Sequence, residues 1–269
     1  MSNKTYELPT EYMIAEKDGA VGRMIFNNPD RLNAVKLEMW EAIPTILDIF
    51  EAEDDIKVVV LEGAGDRAFV SGADISEFET VRATPEGYKH YENTGDYANE
   101  RLADCTKPTI AMIQGYCIGG GAGIAVACDM RFASPDSKFG VPAAKLGVGY
   151  RAVGIAKVLN LVGPSSTKEI FFTARQFTAE EALQMGLINR VVETGLLRSA
   201  VADYCDTIAV NAPLSIKAVK QILKELTRKD AGPNWNLCET LVEECFASDD
   251  YIEGRRAFME KRKAVFKGK

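Results

Sequence analysis

The stretch from Thr109 to Cys128, TIAMIQGYCIGGGAGIAVAC, carries no charged residue and constrains this chain more than any other part of it. Its length is close to what crosses a bilayer, and Gly115, Gly119 and Gly123 give it small-xxx-small spacing. Against a span stand Gln114, the interrupting glycines and the lack of a second such run. A β-branched strand from Thr109 to Ile113, a glycine turn and a buried helix up to Cys128 account for the same residues. Strand and helix interiors that are both apolar imply an α/β protein with covered sheet faces.

The flanking sequence agrees. Tyr12 to Lys17 and Val21 to Asn27 surround Asp18-Gly19, a dipeptide suited to a tight hairpin. Leu37, Trp40, Ile43, Leu47 and Phe50 recur at helical spacing, with Pro44 as a possible kink, and Val58 to Leu61 reads as a buried strand. The region from Glu79 to Asp104 is polar, aromatic-rich and poorly periodic, which predicts mobile helical pieces. Met130 to Ala133 and Lys138 to Val141 read as short strands. From Ala152 onward the pattern is nearly all helical. Thr178 to Glu181 forms a capping box, Gly186 a helix stop, and Pro213 suits a first turn. A last helix is expected from Tyr251 to Lys263. The division this suggests is an α/β core over 1–195 and a helical part over 196–269.

Composition narrows the function. With 46% hydrophobic and 26% charged residues, the chain has enough apolar mass to fold. Thirty-two basic against 39 acidic residues give −7, which argues against a general nucleic-acid binder but leaves open an anion held at a local basic spot. Six cysteines show no CxxC spacing, and the single His90 leaves no Cys/His set for zinc, so no metal is expected. Reduced thiols suit the cytoplasm, and the polar MSNKTYELPTEY start has no secretory apolar region.

Three glycine features carry possible chemistry. Gly63 to Ala68 matches the dinucleotide pattern GxGxxA after a strand. The pattern also needs a helix at the second glycine, and the continuation Phe69-Val70-Ser71-Gly72 is extended, so that reading fails. Gly119 to Gly121 stand before an apolar helix; close backbone packing and a bare N–H aimed at an anion or carbonyl are both open. Gly72 makes a second turn after a strand. Two such turns can bring two N–H donors into one pocket, the requirement of an oxyanion hole.

Asn28 to Ala34, Ala68 to Ile75, Gly115 to Gly121 with Cys128-Asp129, and Phe258 to Lys263 together resemble the enoyl-CoA hydratase/isomerase (crotonase) superfamily, over about residues 12 to 266. The resemblance implies the α/β crotonase (ClpP/crotonase-like) fold, a spiral of ββα turns with a C-terminal helical trimerisation region, as a homotrimer or a dimer of trimers. It implies an acyl-CoA thioester as ligand, coenzyme A entering as part of the substrate, and no permanently bound cofactor. Ala73 N–H and Gly120 N–H would hold the thioester oxygen and stabilise an enolate. Asn33, Ala34, Ser71, Gly72, Asp74, Ile75, Ser76 and Gly119 would line the substrate channel. Phe258 and Lys261, on the last helix, would reach adenine and phosphates across a subunit contact.

The family's hydratases carry two glutamates for proton transfer; here those positions hold Gly123 and Ala143, neither of which can move a proton. Tyr150 resembles a tyrosine of the decarboxylase-like members, and Arg151 beside it is a candidate for an acyl carboxylate. His90 falls in the variable segment of the acyl pocket and is a candidate base. The expectation is a lyase or isomerase of enoyl-CoA hydratase type with non-standard acid–base groups. An acyl-CoA binder without turnover and a decarboxylase-like lyase on a dicarboxylic acyl-CoA are the alternatives.

Overall fold

The computed structural model describes residues 4–77, 80–81, 83–227 and 232–269. The N-terminal part contains β1 (Lys4–Tyr6), β2 (Met13–Asp18), β3 (Val21–Phe26) and α1 (Leu37–Ala52). The hairpin between β2 and β3 turns on Gly19 at φ +60°, as Asp18-Gly19 predicts. Three units then repeat one plan. β4 (Val58–Gly63) and β5 (Ala68–Val70) lead to α2 (Pro85–Ala103). β6 (Thr109–Ile113) and β7 (Tyr116–Ile118) lead to α3 (Gly120–Ala127). β8 (Met130–Ala133) and β9 (Lys138–Gly140) lead to α4 (Ala143–Leu146) and α5 (Ala152–Thr173). Then follow β10 (Phe177–Thr178), α6 (Ala179–Gln184), β11 (Arg190–Val191), α7 (Leu197–Ala209), α8 (Pro213–Leu226), α9 (Trp235–Ala247) and α10 (Asp249–Met259).

Each repeat sends its first strand to one sheet and its second to another. Among the described residues the larger sheet runs β1-β2-β3-β4-β6-β8-β11 and the smaller β10-β9-β7-β5. From β3 to β11 the larger sheet is parallel, so both its faces need cover. Val59, Leu61, Ala111 and Ile113 face the main core with α1 and α3, while Val58, Val60, Ile110 and Met112 face Leu197, Val201 and Cys205 of α7. This alternation explains why β4 and β6 read as unbroken apolar runs. α7, just past residue 195, thus packs on the sheet, whereas α8 and α9 pack on each other.

The uncharged stretch resolves into β6, β7 and α3, and no described helix is long and apolar enough to cross a membrane. The segment expected to be mobile helical pieces is instead one 19-residue helix over most of its length. α2 is capped by Thr84, whose Oγ1 accepts from Gly87 N–H, and it starts on Pro85. Glu79 and Arg82, within that expectation, lie outside the described residues. The capping box at Thr178 and Glu181 forms as read, with Gly186 at φ +80° past the helix end. The last helix is shorter than expected: it spans Asp249–Met259, so Lys261 lies beyond it, at φ +54°.

Candidate active site

The site begins where β5 ends. Gly72 takes φ +122°, a region open mainly to glycine, and the chain then pairs with Val35. Val35 N–H donates to Gly72 O (2.8 Å), and Asp74 N–H donates to Val35 O (2.9 Å). Successive N–H groups of an extended strand point to opposite sides, so Ala73 N–H faces away from Val35. Asp74 is buried and spent locally, its Oδ1 accepting from Ser76 N–H (2.9 Å) and Ser76 Oγ (2.7 Å).

The second turn follows β7. Gly119 adopts φ +55°, ψ −113°, and its N–H donates to Gly140 O of β9 (2.8 Å). Gly120 opens α3. The first intrahelical bond runs from Gly123 N–H to Gly119 O (3.1 Å), leaving Gly120 N–H among the orphan donors of the helix start. The close-packing reading of the glycine run holds at Gly121. A Cβ on Gly121 would fall 2.2 Å from Val70 O, so that glycine is there for close packing. The nearest atoms to a Cβ on Gly120 would be Trp40 Cζ2 at 3.3 Å, Trp40 Cη2 at 3.8 Å and Gly72 C at 3.9 Å, with no clash like that at Gly121. At the other end of α3, buried Arg131 donates through Nη1 to Ala125 O (3.3 Å) and Cys128 O (2.7 Å), fixing the helix in place.

Ala73 and Gly120 open onto one cavity of about 160 Å³. Trp40 of α1 forms part of its wall. Trp40 Nε1 donates to Tyr91 Oη (3.0 Å), and Tyr91 Oη donates to Val35 O (3.0 Å), so one chain of hydrogen bonds ties α1 and α2 to the strand that sets Ala73. α2 contributes Glu92, Asp96 and Asn99; α5 contributes Gly154 and Lys157. Gly123 lies on the cavity face of α3, and a Cβ there would sit 3.8 Å from Tyr150 Oη and 3.9 Å from Asn99 Nδ2.

The polar groups are distinct in state. Burial pushes the Tyr150 phenol up to about 12, and Glu92 and Asp96 add to that push, so the O–H stays neutral. The ring rests edge-on to Phe171, centroids 5.0 Å apart. Asn99 Nδ2 donates to Gly95 O (2.9 Å), while its buried Oδ1 has no partner among the described residues. Lys157 Nζ donates to Asn99 O (2.8 Å), and burial holds its pKa below the usual lysine range against the pull of Glu100, Asp104 and Asp96. Arg151 is engaged at the rim: Nε lies 2.9 Å from Asp96 Oδ2 and Nη1 donates to Asn93 Oδ1 (2.9 Å).

Not every residue singled out from sequence meets this cavity. Asn33, at φ +54° and 1% exposed, spends its amide on Ala64 O (3.0 Å) and Ala68 O (2.8 Å) and accepts from Asn28 N–H; Ala34 beside it is buried. Ser71 N–H donates to Leu32 O, and Ile75 is exposed. Ala143 starts the short α4 and does not line the cavity. His90 is exposed, 4.0 Å from Glu41. Phe258 is exposed on α10. Trp40, Asp96, Asn99 and Lys157 escaped the sequence reading. Glu92, Asp96 and Asn99 share one helical face of α2, as do Val153, Gly154 and Lys157 on α5, and that register is the signal that would have found them.

The family profile described as enoyl-CoA hydratase/isomerase matches residues 16–269. The chain belongs to the enoyl-CoA hydratase/isomerase family. A short-chain-enoyl-CoA hydratase of Clostridium acetobutylicum is 35% identical over 251 residues, 93% of this chain and 95% of that protein. A crotonyl-CoA hydratase of Syntrophomonas wolfei is 30% identical over 260 residues, covering 95% of this chain and 98% of the relative. Among solved structures, an enoyl-CoA hydratase/carnithine racemase from Magnetospirillum magneticum superimposes with a TM-score of 0.90 at 35% identity, covering 97% of both chains. The Bacillus anthracis enoyl-CoA hydratase gives 0.91 at 28% identity over 96% of this chain and 100% of that one. The crotonase-type fold expected from the motifs is thus the fold of this enoyl-CoA hydratase/isomerase family member.

Proposed function

We propose that this protein binds a short acyl-CoA thioester and polarises its carbonyl between Ala73 N–H and Gly120 N–H, in a reaction of the lyase or isomerase type. The observation that carries the reading is the shared cavity onto which these two residues open, with Gly72 and Gly119 packed behind them. Two preorganised main-chain donors oppose the negative charge that builds on a thioester oxygen as an enolate forms, and each contributes roughly 3 kcal/mol to such a transition state. The α3 helix start adds the positive end of its dipole. The names of the hydratase relatives support thioesters of short enoyl acids as the substrate class. Proton transfer falls to groups other than residues 123 and 143; Tyr150, Asp96 and Glu92 are titratable candidates on the cavity wall.

CoA itself would enter over the turn from Ser71 to Ser76 and the Asn33-Ala34 segment, with Gly119 at the thioester end. Phe258 and Lys261 would meet its adenine and phosphates from a neighbouring subunit. Exposed Val219, Leu223, Trp235 and Phe246 on α8 and α9 support assembly as a trimer or a dimer of trimers. All six cysteines are unpaired, which suits the cytoplasm.

Binding without turnover is the second reading, favoured by the absence of any titratable group at Gly123 and Ala143. A decarboxylase acting on a dicarboxylic thioester has less support, because Arg151 is already committed to Asp96 and Asn93. The test is incubation with crotonyl-CoA while following loss of the conjugated thioester absorbance, alongside calorimetric titration of butyryl-CoA. Turnover supports the enzyme. Tight binding with no turnover across a thioester panel supports the binder. Failure of any CoA thioester to bind overturns both.

A further inference from the structure

The two oxygens of Asp96 are used unequally. Arg151 Nε stands 2.9 Å from Oδ2, whereas no described residue gives a hydrogen bond to Oδ1. We infer that Asp96 is the carboxylate that takes and returns the acyl α-proton, with Arg151 as the residue that positions it. The inference rests on the thioester reading given above and names its proton-transfer group. Asp96 borders the cavity onto which Ala73 and Gly120 open. Trp40 sets the spacing. A Cβ on Gly95 would lie 3.9 Å from Trp40 Cζ2, and a Cβ on Gly120 3.3 Å from the same atom. One indole edge therefore separates the turn of α2 that bears Asp96 from the helix start that bears the Gly120 N–H. The indole is itself held by its hydrogen bond to Tyr91. A thioester oxygen resting on Gly120 N–H has its α-carbon two bonds away, in the space that Asp96 borders.

The other groups on the wall suit this step less. Burial keeps the Tyr150 phenol protonated, so it donates and does not accept a proton near neutral pH. Lys157 Nζ is spent as a donor on Asn99 O. Glu100 is exposed, and Glu92 stands a full turn nearer the start of α2. α3 carries no charged residue. Arg151 spans one turn of α2, with Nε at Asp96 and Nη1 donating to Asn93 Oδ1. A neighbouring guanidinium favours the charged form of a carboxylate, so Asp96 meets the ligand as a base. In the step, the α C–H bond breaks and its proton passes to Asp96 Oδ1. The electron pair moves through the carbonyl onto the thioester oxygen, where the two main-chain N–H groups oppose the charge. Return of the proton from the neutral carboxyl to carbon closes the cycle without a co-reactant.

The experiment incubates the intact protein with butyryl-CoA in deuterium oxide, follows α-deuteration by mass spectrometry and measures Kd for the same thioester by calorimetry. The unaltered protein should place deuterium at the α-carbon. Asp96→Asn, of nearly the same size, should slow that exchange by about 10²–10⁴-fold and leave Kd almost unchanged. Arg151→Gln should keep exchange but move its acid limb to higher pH, since a carboxylate without its cation is protonated more easily. Tyr150, Glu92, Glu100 and Lys157, the other titratable groups around Asp96, are the same in both proteins, so the displacement reads the Asp96–Arg151 pair. A merely structural Arg151 would lower the rate and leave the limb in place. Binding with no exchange in the unaltered protein, exchange that survives Asp96→Asn, or an unmoved limb in Arg151→Gln would overturn the assignment while leaving the thioester site standing. If butyryl-CoA does not bind the unaltered protein, the thioester reading falls and the role of Asp96 falls with it.

Discussion

Gly119 is seated against Gly72: a Cβ on Gly119 would stand 3.7 Å from Gly72 Cα, and both residues hold positive φ, +55° and +122°. Two turns that are far apart in sequence meet through backbone alone. Any side chain at either position is strained before it touches a neighbour. The meeting sets Ala73 and Gly120 side by side on the cavity wall, and most of the expected behaviour follows from it.

Gly120→Pro deletes the N–H without evicting the helix, since proline is accepted at a first helical position. Gly120→Ala keeps the N–H and adds only a Cβ 3.3 Å from Trp40 Cζ2. The proline variant should lose about 10²–10³-fold in turnover, or the matching affinity if the protein only binds, and the alanine variant far less. Steady-state kinetics together with circular dichroism check this. A folded proline variant with undiminished activity would remove Gly120 from the oxyanion role.

Gly121→Ala and Gly123→Ala separate packing from function within one turn of helix. At 121 the Cβ would collide with Val70 O at 2.2 Å, and a backbone atom cannot swing aside, so the variant should lose about 1–3 kcal/mol or more of stability. At 123 the nearest atoms are beyond 3.7 Å, and the melting temperature should hardly move. Thermal denaturation of both variants decides the matter, and comparable melting points would contradict the packing argument.

Tyr91→Phe removes the acceptor of Trp40 Nε1 and the donor to Val35 O in one change. Trp40 Nε1–H then lacks its acceptor while Val35 O keeps only Asp74 N–H, at a cost of about 1–3 kcal/mol. Because Val35 pairs with the Ala73 strand, substrate affinity should weaken as well as stability. Urea unfolding and thioester titration of the variant test both halves; an unchanged unfolding midpoint would show that the chain of bonds is dispensable.

Gly123→Glu places a carboxyl beside Tyr150 and Asn99, at the position where the resemblance implies a hydratase glutamate. Crotonyl-CoA hydration should rise above that of the unaltered protein, and Gly123→Gln, of similar size without an ionisable group, should show no gain. The absorbance assay distinguishes them, and equal rates for Glu and Gln would assign any gain to shape.

Tyr150 also makes an alkaline prediction. Its folded pKa is raised to about 12, above the roughly 10 of an unfolded tyrosine. The contribution is therefore fully present below about pH 10 and is lost as pH rises toward 12, because only the unfolded chain ionises in that window. Unfolding midpoints should fall more steeply over this window in the unaltered protein than in Tyr150→Phe. Parallel slopes would mean that the phenol is not buried as described.

Much of this was readable in advance. The strand–turn–helix order from Thr109 to Cys128 follows from β-branching and glycine placement, and the two turns follow from Gly72 and Gly119. What the sequence hid was α2. Its buried positions are Tyr91, Gly95, Ala98 and Leu102, helically spaced, but two of the four are glycine and alanine and register weakly as apolar. Its cavity face is polar, Glu92, Asp96 and Asn99, so the helix has hardly any hydrophobic stripe to detect. The extent of the last helix, and with it the placement of Lys261 on that helix, was misread for a related reason: charge alternation continues past Met259 although the helix does not. Pairing of Arg151 with Asp96 depends on a contact between distant segments that no local pattern encodes.

The donors proposed for the thioester belong to the main chain, while the groups over Gly123 are side chains. Substitution erodes these two kinds of part unequally. Every residue but proline supplies an amide hydrogen, so drift at Ala73 or Gly120 distorts the grip on the ligand without deleting it, whereas one codon change at Tyr150 or Asn99 replaces the chemistry outright. If the proposed reading holds, a chain built this way would keep its hold on the activated acid through changes that replace its side-chain chemistry.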